Sequence, residues 1–317
     1  MSSLSFGQLI SAICQTKRRH SVVIINDFTA LIMPALLMWV RPAIYLEKIM
    51  VNLLSTIKNT INEKDELPFA VYSSIKEQHL LNVPIVKPLL IVVLSGDKEL
   101  GKDNELVCHS GEFIFLSDSP SINMRNIPKD KEYFALLIEF DYQDFNGLQV
   151  SAFNKQDYCI GRTTSILEKC LQQFVESSLW APEQLWSLRK REIIELLCHI
   201  GHQEILSMVG NPKIGHRLHD MFCEQSFHEL TIEYICDQLA MSESTLRRKL
   251  KFEGTSVQDI KDQARLGLGL HLLQTTHYSI GLIAEKCGYQ SQSRFTDRFK
   301  GRFGLTPSEL RKTKMAD

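Results

Sequence analysis

The stretch Tyr278–Lys312, YSIGLIAEKCGYQSQSRFTDRFKGRFGLTPSELRK, predicts a short helix, a tight turn and a second helix. Ser279 is expected to cap the first helix, because apolar residues follow it at helical spacing. Gly288 ends that helix, since glycine tolerates the left-handed conformation that a helix C-terminus needs. From Ser291 a helical period resumes through Phe295 and Phe299, with a polar and cationic outer face. This pattern predicts a helix-turn-helix whose second helix enters the major groove of DNA.

The pattern of spaced residues in this stretch is longer than a lone helix-turn-helix requires. Written as IxxIAxxxGYxSQSxFxxxFKxxFGxTPSxLR, it resembles the C-terminal signature of AraC/XylS-type transcription regulators. The residues that fall at family spacing are Ala284, Gly288, Ser291, Phe295, Phe299, Gly304, Thr306, Pro307 and Arg311. The resemblance implies a bacterial regulator with a tandem helix-turn-helix domain behind a cupin-like sensor domain.

Another helix-turn-helix lies earlier in the chain, before the one at Tyr278–Lys312. Residues 231–254, TIEYICDQLAMSESTLRRKLKFEG, resemble the first half of the tandem pair, with Thr231 and Ser242 as caps. Leu246, Leu250 and Phe252 are expected to face inward. Residues 257–275 then predict a connector helix, whose QARLGLGLHLLQ resembles the family pattern except at its two glycines, Gly267 and Gly269. Each interior glycine costs about 1 kcal/mol against alanine, so a soft connector is expected.

Side-chain chemistry divides the predicted DNA contacts into two sets. Arginine can bond bidentately to guanine and glutamine to adenine, whereas hydroxyls, lysines and helix N-termini hold phosphates. By position, base reading is assigned to Ser244, Arg247, Arg248, Gln292, Ser293 and Arg294. The remaining polar and cationic positions, expected on the solvent or phosphate side, are Ser242, Thr245, Lys249, Lys251, Ser291, Thr296, Arg298, Lys300 and Arg302. Asp297 could accept from cytosine, repel phosphate or pair with Arg294. The two helices should enter successive major grooves roughly 34 Å apart.

Length, charge and cysteine content agree with a two-domain protein. The 317 residues carry a formal net charge of −1. Residues 212–317 hold 16 Lys and Arg against 13 Asp and Glu, and the remainder holds 20 against 24. So mild an asymmetry does not by itself indicate nucleic-acid binding. Eight scattered cysteines without a CxxC argue against a disulfide framework or a zinc cluster and favour reduced thiols packed as small hydrophobes.

The N-terminal half changes from helical to β-type periodicity near Pro68. A helix is expected at 51–62, and short strands at 69–75, 88–96, 98–101, 105–111, 112–118, 121–127 and 132–141. Such closely spaced strands predict a small antiparallel barrel or jelly roll, consistent with the cupin-like half of the family. Its lining is expected to be apolar: Val71, Ile91, Val93, Phe113, Phe115 and Leu137. Residues 142–161 look loop-rich, and two amphipathic helices are expected at 164–177 and 182–209.

The predicted fold class is α+β, in three segments. Residues 1–49 form an extension of uncertain status, 50–211 a cupin-like β-barrel domain with flanking helices, and 212–317 the all-helical DNA-binding domain. The extension contains the apolar run Phe28–Val40, which is too short to span a membrane comfortably and contains Pro34. A membrane anchor at residues 22–41 and a translation start at Met50 stay open as alternatives.

A metal-dependent cupin-like enzyme is the main competing hypothesis. The strand region offers His79 and His109 but no HxH pair, so a known cupin metal site cannot be built. Glu195, His199 and His202 lie at helical spacing, although histidines on a helix face are more often exposed than metal-bound. Nucleotide-binding and hydrolase motifs are absent from the sequence. We therefore expect no catalytic residue, no metal and no cofactor.

The sequence thus predicts a cytoplasmic, sequence-specific transcription regulator rather than an enzyme. Its expected partners are double-stranded promoter DNA and, by resemblance, RNA polymerase, with activation favoured over repression. The N-terminal domain is expected to bind an unidentified effector, either a small molecule or a protein, and to change how the DNA-binding half is held. Leucines at 167, 171, 185, 188, 196 and 197 permit either a homodimer interface or an ordinary core.

Overall fold

The computed structural model describes residues 52–64, 66–101, 105–117, 119–148, 157–210, 212–224 and 230–314. Within these ranges, the N-terminal half has one helix, α1 (52–60), followed by nine strands. These are β1 (Ala70–Ser74), β2 (Gln78–Ile85), β3 (Leu89–Ser95), β4 (Asp97–Leu100), β5 (Leu106–His109), β6 (Glu112–Leu116), β7 (Ser119–Ile127), β8 (Tyr133–Glu139) and β9 (Tyr158–Arg162). The β-rich half expected from the alternating periodicity is therefore confirmed.

The strands form two antiparallel sheets. One has five strands in the order β1-β8-β3-β6-β9, and the other has four in the order β2-β7-β4-β5. At the centre of the larger sheet, β3 pairs Ile91 with Ile114 of β6 and with Leu137 of β8. Both faces of β3 are buried from Leu89 to Leu94, as its uninterrupted apolar run LLIVVL requires. The predicted cupin-like barrel is thus two facing sheets rather than one closed sheet.

Successive residues of β3 and β6 belong to two different apolar clusters, because side chains alternate across a sheet. The cluster between the sheets contains Ile91, Val93 and Leu137, as predicted for the lining. Phe113 and Phe115, predicted beside them, instead lie in the cluster that packs the outer face of the larger sheet against helices. The register of β6 places Ile114 and Leu116 in the inner layer in their place.

The helices behind the β-rich half differ in one respect from the prediction. Helix α2 (Ser165–Ser177) has the expected extent, capped by Thr164. The single helix expected at 182–209 is wrong: a 3-10 turn at Glu183–Leu185 leads into α3 (Trp186–His199), and α4 (Glu204–Met208) follows a break. Gly201 lies in that break at φ +112°, a conformation that other residues rarely adopt, and this separates the two helices.

The described residues of the C-terminal half form seven helices. They are α5 (Ile214–Glu224), α6 (Ile232–Gln238), α7 (Glu243–Phe252), α8 (Val257–Thr275), α9 (Ile280–Lys286), α10 (Gln292–Phe303) and α11 (Pro307–Lys312). The predicted pair of helix-turn-helix motifs joined by a long helix is confirmed. The first motif, with α5 and the start of α8, has its own apolar cluster, built around Leu218, Ile235, Leu246 and Ile260.

The second helix-turn-helix shares its apolar cluster with the two sheets. Leu273 of α8, Phe299 of α10 and Leu310 of α11 belong to the same buried cluster as Val93 of β3. The backbone N–H groups of Ile75 and Lys76 also donate to the carbonyl oxygen of Thr313, at 2.9 and 3.1 Å. The two halves of the described chain therefore meet through a continuous apolar core at the second motif.

A chain of buried polar groups crosses the same contact. Lys98 Nζ donates to Asn126 Oδ1 at 2.8 Å, and Asn126 Nδ2 donates to Gln78 Oε1 at 2.8 Å. Gln274 Nε2 donates to that same oxygen at 3.0 Å, and Gln78 Nε2 donates to Thr313 Oγ1 at 2.8 Å. Burial lowers the pKa of Lys98 to about 8, because the interior disfavours the ammonium form. The amine of the sheet is thereby linked to both α8 and the end of α11.

The predictions for residues 1–49, including the membrane anchor and the start at Met50, lie outside the described residues. Within the ranges that the structure does describe, no helix has both the length and the apolar character needed to cross a bilayer.

Candidate nucleic-acid interface

The turn of the first helix-turn-helix is fixed by caps and one left-handed residue. Thr231 Oγ1 accepts from the backbone N–H of Tyr234 at 3.2 Å, which starts α6. Ala240 adopts φ +50° in the turn, and Met241 N–H donates to the carbonyl oxygen of Cys236 at 3.0 Å. In the second motif Gly288 takes the corresponding conformation at φ +73°. The two turns are therefore the same, although alanine pays a steric cost that glycine avoids.

Helix α7 presents a polar face that begins at its cap. Ser242 Oγ accepts from the backbone N–H of Thr245 at 3.3 Å and lies 3.0 Å from the hydroxyls of both Ser244 and Thr245. Arg247 pairs with Glu243 one turn earlier, with Nε 2.7 Å from Oε1. Arg248 and Lys249 are exposed. The face thus offers hydroxyls at the helix N-terminus and cations behind them, as DNA recognition needs.

Phe252, at the end of α7, does not face inward as expected. Its side chain is 94% exposed, whereas Leu246 and Leu250 on the same helix are fully buried. Residue 252 lies two positions after Leu250, so the helical period turns its side chain away from the buried stripe. The turn at Gly254 ends the helix at this point. An exposed aromatic therefore stands beside Arg248 and Lys249 on the candidate interface.

The second helix of the second motif, α10, packs on a row of buried aromatic side chains. Phe295, Phe299 and Phe303 are fully buried, and their consecutive ring centroids lie 5.5 and 4.6 Å apart. Ser291 caps the helix by accepting from the backbone N–H of Arg294 at 3.3 Å, and Gly304 ends it at φ +83°. This packing fixes the axis of α10 and turns its opposite face outward.

The outer face of α10 carries six of the residues assigned to DNA, together with Asp297. Thr296 is half-buried, and the exposed members are Gln292, Ser293, Arg294, Asp297, Arg298 and Lys300. Across the described ranges, Arg294 and Asp297 form no ion pair, so the arginine is not held by that neighbour. Amide, hydroxyl and guanidinium groups stand together near the helix N-terminus, where side chains of a reading helix reach base edges.

Arg302 differs from the other cations of α10. It is half-buried, and its Nε donates to the carbonyl oxygen of Asn82 in β2 at 2.8 Å. Asn82 adopts φ +48° and returns a longer contact, from Nδ2 to the carbonyl oxygen of Arg302, at 3.4 Å. Burial also lowers the pKa of Arg302. This arginine is therefore engaged by the β-rich half, in contrast to the exposed Arg298.

The connector helix α8 passes directly beneath α10. A Cβ placed on Gly269 would lie 2.7 and 2.9 Å from ring atoms of Phe295 and 3.4 Å from Cys287 Sγ. A Cβ on Gly267 would meet nothing within 4 Å. The expectation that both glycines merely soften the helix is therefore incomplete, because Gly269 allows a close approach between α8 and α10.

The histidines considered for metal binding are not brought together as the sequence suggested. Helix α3 ends at His199, so Glu195, His199 and His202 do not share one helical face. His202 instead turns towards β9 and lies near Cys159 and Glu204. This second grouping had no sequence signal, because its members are separated by a strand, two helices and a break.

Comparison with known proteins identifies the C-terminal region. The profile of a family described as "Helix-turn-helix domain" matches residues 235–313. The HTH-type transcriptional regulator GadX of Escherichia coli is 33% identical over 127 residues, which cover 38% of this chain and 46% of that protein. The urease operon transcriptional activator of Escherichia coli is 35% identical over 80 residues, covering 25% of this chain and 27% of that protein. The chain therefore spans less than half the length of these curated relatives.

The fold of the described chain also resembles a solved structure along most of its length. ToxT from Vibrio cholerae, in a structure with an unsaturated fatty acid bound, superposes with a TM-score of 0.57 at 14% identity. The match covers 80% of this chain and 99% of that one. At this level of identity the likeness concerns the arrangement of the β-rich half and the helical half.

Proposed function

We propose that this chain, whose residues 235–313 form a helix-turn-helix domain of the AraC/XylS type, is a sequence-specific DNA-binding regulator of transcription. The observation that carries the proposal is the pair of capped helices, α7 and α10, each with a buried apolar side and an exposed polar and cationic side. One continuous helix, α8, joins the two motifs. A protein built in this way can place two reading helices on one duplex.

Within this proposal the exposed side chains divide by chemistry. Ser244, Arg247 and Arg248 on α7 read base edges, as do Gln292, Ser293 and Arg294 on α10. The phosphate set comprises Ser242, Thr245, Lys249, Lys251, Ser291, Thr296, Arg298, Lys300 and Arg302. Arg247 exchanges Glu243 for guanine on binding, which requires breaking one exposed ion pair of at most about 1 kcal/mol.

Arg302 connects the second reading helix, α10, to the β-rich domain. Its guanidinium reaches a phosphate only after the Nε contact to Asn82 is released or rearranged. The neighbouring polar chain from Lys98 reaches α8 through Gln274 and the end of α11 through Thr313, and the shared apolar cluster includes the buried phenylalanines of α10. A change in the β-rich domain therefore alters the position of α10. An effector that binds one of these two positions more tightly than the other would then change the affinity for DNA, as regulation requires.

The effector in this proposal binds the β-rich domain and is a small molecule or a protein. An unsaturated fatty acid is the first probe to use, because ToxT, which shares this fold, has a structure with an unsaturated fatty acid bound. The buried amine of Lys98 offers a cation beside apolar side chains, which suits a carboxylate on an apolar tail. Loss of promoter binding on addition of oleate, but not of oleyl alcohol, would support a carboxylate effector.

Three further assignments belong to the proposal. Activation through RNA polymerase is favoured, since one relative is named a transcriptional activator. The exposed side chains of Ile166, Trp180, Leu185 and Leu188 on and between α2 and α3 provide a surface for a homodimer. The site of action is the cytoplasm, where promoter DNA is found.

Genome-wide binding tests the proposal directly. The wild type is compared at one stated salt concentration with the Arg248→Ala, Arg294→Ala double variant. A matched control replaces two half-buried arginines outside the interface, Arg189 and Arg191 of α3, with alanine. Discrete promoter peaks in the wild type and the control, lost in the first variant, would establish sequence-specific regulation. Equal and diffuse signal from all three proteins would contradict it.

A further inference from the structure

Three metal-ligating side chains converge at the outer edge of the larger sheet, away from both reading helices. Cys159 lies on β9, the edge strand, and is buried. His202 follows the break at Gly201, and Glu204 is the first residue of α4. Their donor atoms all lie within 4.8 Å of one another. Neither the DNA interface nor the contact between the two halves uses these residues.

The distances between the donor atoms fit a tetrahedral zinc site. Cys159 Sγ is 3.5 Å from His202 Nδ1 and 3.0 Å from Glu204 Oε1, and Nδ1 is 3.3 Å from that same oxygen. Bonds of about 2.3 Å to sulfur and about 2.0–2.2 Å to nitrogen and oxygen place tetrahedral donors about 3.4–3.6 Å apart. The two separations that involve Nδ1 match. The third, between Cys159 Sγ and Glu204 Oε1, requires the carboxylate oxygen to move by about half an ångström.

The surroundings fix the imidazole in this orientation. A Cβ on Gly161 would lie 2.5 Å from Cε1 and 2.7 Å from Nε2 of His202, so the ring occupies space left by the missing side chain. Phe113 meets the ring edge-on, with centroids 5.0 Å apart. The ring is thus packed on the side of Nε2 and turns Nδ1 to the thiol and the carboxylate. Preorganised donors of this kind distinguish a built site from a chance cluster of exposed acids.

We propose that Cys159, His202 and Glu204 bind one zinc-type divalent cation, with the fourth position left to water or an exogenous ligand. Sulfur, imidazole and carboxylate together favour zinc over the hard cations magnesium and calcium. On coordination the thiol gives up to solvent the proton that it otherwise donates to Glu204. The bound cation joins the edge strand β9 to α4, immediately before the segment that leads to the DNA-binding helices.

Cobalt(II) titration of the full-length, metal-free protein tests the site without reference to DNA binding. Tetrahedral Co²⁺ with a thiolate ligand gives a near-ultraviolet charge-transfer band and intense visible bands, and zinc should abolish both at one equivalent. The variants are Cys159→Ser and Glu204→Gln. The controls are Cys198→Ser, on the neighbouring helix, and Cys223→Ser, which removes the thiol 3.6 Å from His219 Nδ1.

We expect a one-to-one band in the wild type and in both controls, loss of the charge-transfer band in Cys159→Ser, and at least tenfold weaker binding in Glu204→Gln. Zinc should also raise the thermal midpoint of the wild type and leave that of Cys159→Ser unchanged. Absence of the band in the wild type would overturn the proposal, whatever the folding of the variants. Retention of the band in Cys159→Ser with loss in Cys223→Ser would overturn it as well.

Discussion

Gly267 and Gly269 of the connector helix offer a matched pair of substitutions that differ only in surroundings. Both lie within α8, two residues apart, and neither requires a left-handed conformation. A methyl group at 267 enters open space, whereas one at 269 meets the ring of Phe295 at 2.7 Å. We therefore expect alanine to stabilise the protein at the first position and to destabilise it at the second.

The magnitudes follow from helix propensity and packing. Alanine gains about 1 kcal/mol over glycine in a helix interior, and Gly267→Ala keeps all of it. At 269 the same gain opposes an overpacking cost of about 1–3 kcal/mol. Phe295 cannot easily move away, because it is fully buried between Tyr289 and Phe299 at centroid distances of 5.4 and 5.5 Å. Gly269→Ala should therefore change the free energy of unfolding by between zero and about −2 kcal/mol.

Urea denaturation of the two variants and the wild type gives their free energies of unfolding. These are compared where the dependence on urea concentration has the same slope in all three proteins. Promoter binding gives a second readout, because displacement of Phe295 also displaces the start of α10, where Gln292 and Arg294 lie. Gly269→Ala should bind more weakly under conditions where it is fully folded, and Gly267→Ala should bind as the wild type does. Equal stabilisation by both substitutions would refute the close-approach argument.

For three further substitutions, the structure determines the sign of the expected change in stability. Burial without a hydrogen-bond partner in the described chain raises the pKa of Glu168 to about 7, so stability is lost as pH rises from about 4.5 to 7. Glu168→Gln should remove that loss, whereas Glu176→Gln on the same helix should not, as thermal midpoints across this range would show. Lys98→Met removes the penalty for a buried ammonium but also the hydrogen bond to Asn126, so the stability of this variant relative to the wild type should be greatest below pH 8 and should decline by up to about 3 kcal/mol as pH rises from 8 to 10.5, because the depressed pKa of about 8 disfavours the ammonium in the folded state. Ala240→Gly should stabilise by about 1 kcal/mol in urea denaturation because it relieves the left-handed alanine; a loss would show that the Cβ packs favourably.

Local signals account for the parts of the fold that the sequence predicted well. Caps such as Ser279 and Ser291, with glycine at the helix ends, placed α9 and α10 to within about a residue. Strand β2 was missed because Asn82 and Pro84 interrupt its alternation, and the ladder with β7 carries register shifts there. Strand β9 was missed because it is short and contains Gly161. Pairing partners far along the chain stabilise both strands, and no local pattern reveals them.

The candidate interface was predictable by position but not by environment. Periodicity alone separated the buried phenylalanines of α10 from its polar face. It could not show that Arg302 is engaged, because the partner Asn82 lies 220 residues away in sequence. It also failed for Phe252, since the apolar character of a side chain at a helix end does not decide its burial. The grouping of Cys159 with His202 depends in the same way on tertiary structure.

The division of the helical half between two apolar cores makes the two reading helices mechanically unequal. Helix α10 rests on the core that also fills the space between the sheets, so moving it away from the sheets exposes buried hydrocarbon. Helix α7 rests on a core whose buried members all come from the helical half. On that side, α5 contacts the β-rich half through partly buried polar groups, with Lys87 Nζ 3.1 Å from Asp220 and the Tyr142 ring stacked on His216 at 4.9 Å. Under the proposed function, a promoter with an altered distance between its half-sites should be accommodated at α7, by separating these polar contacts, while α10 keeps its register.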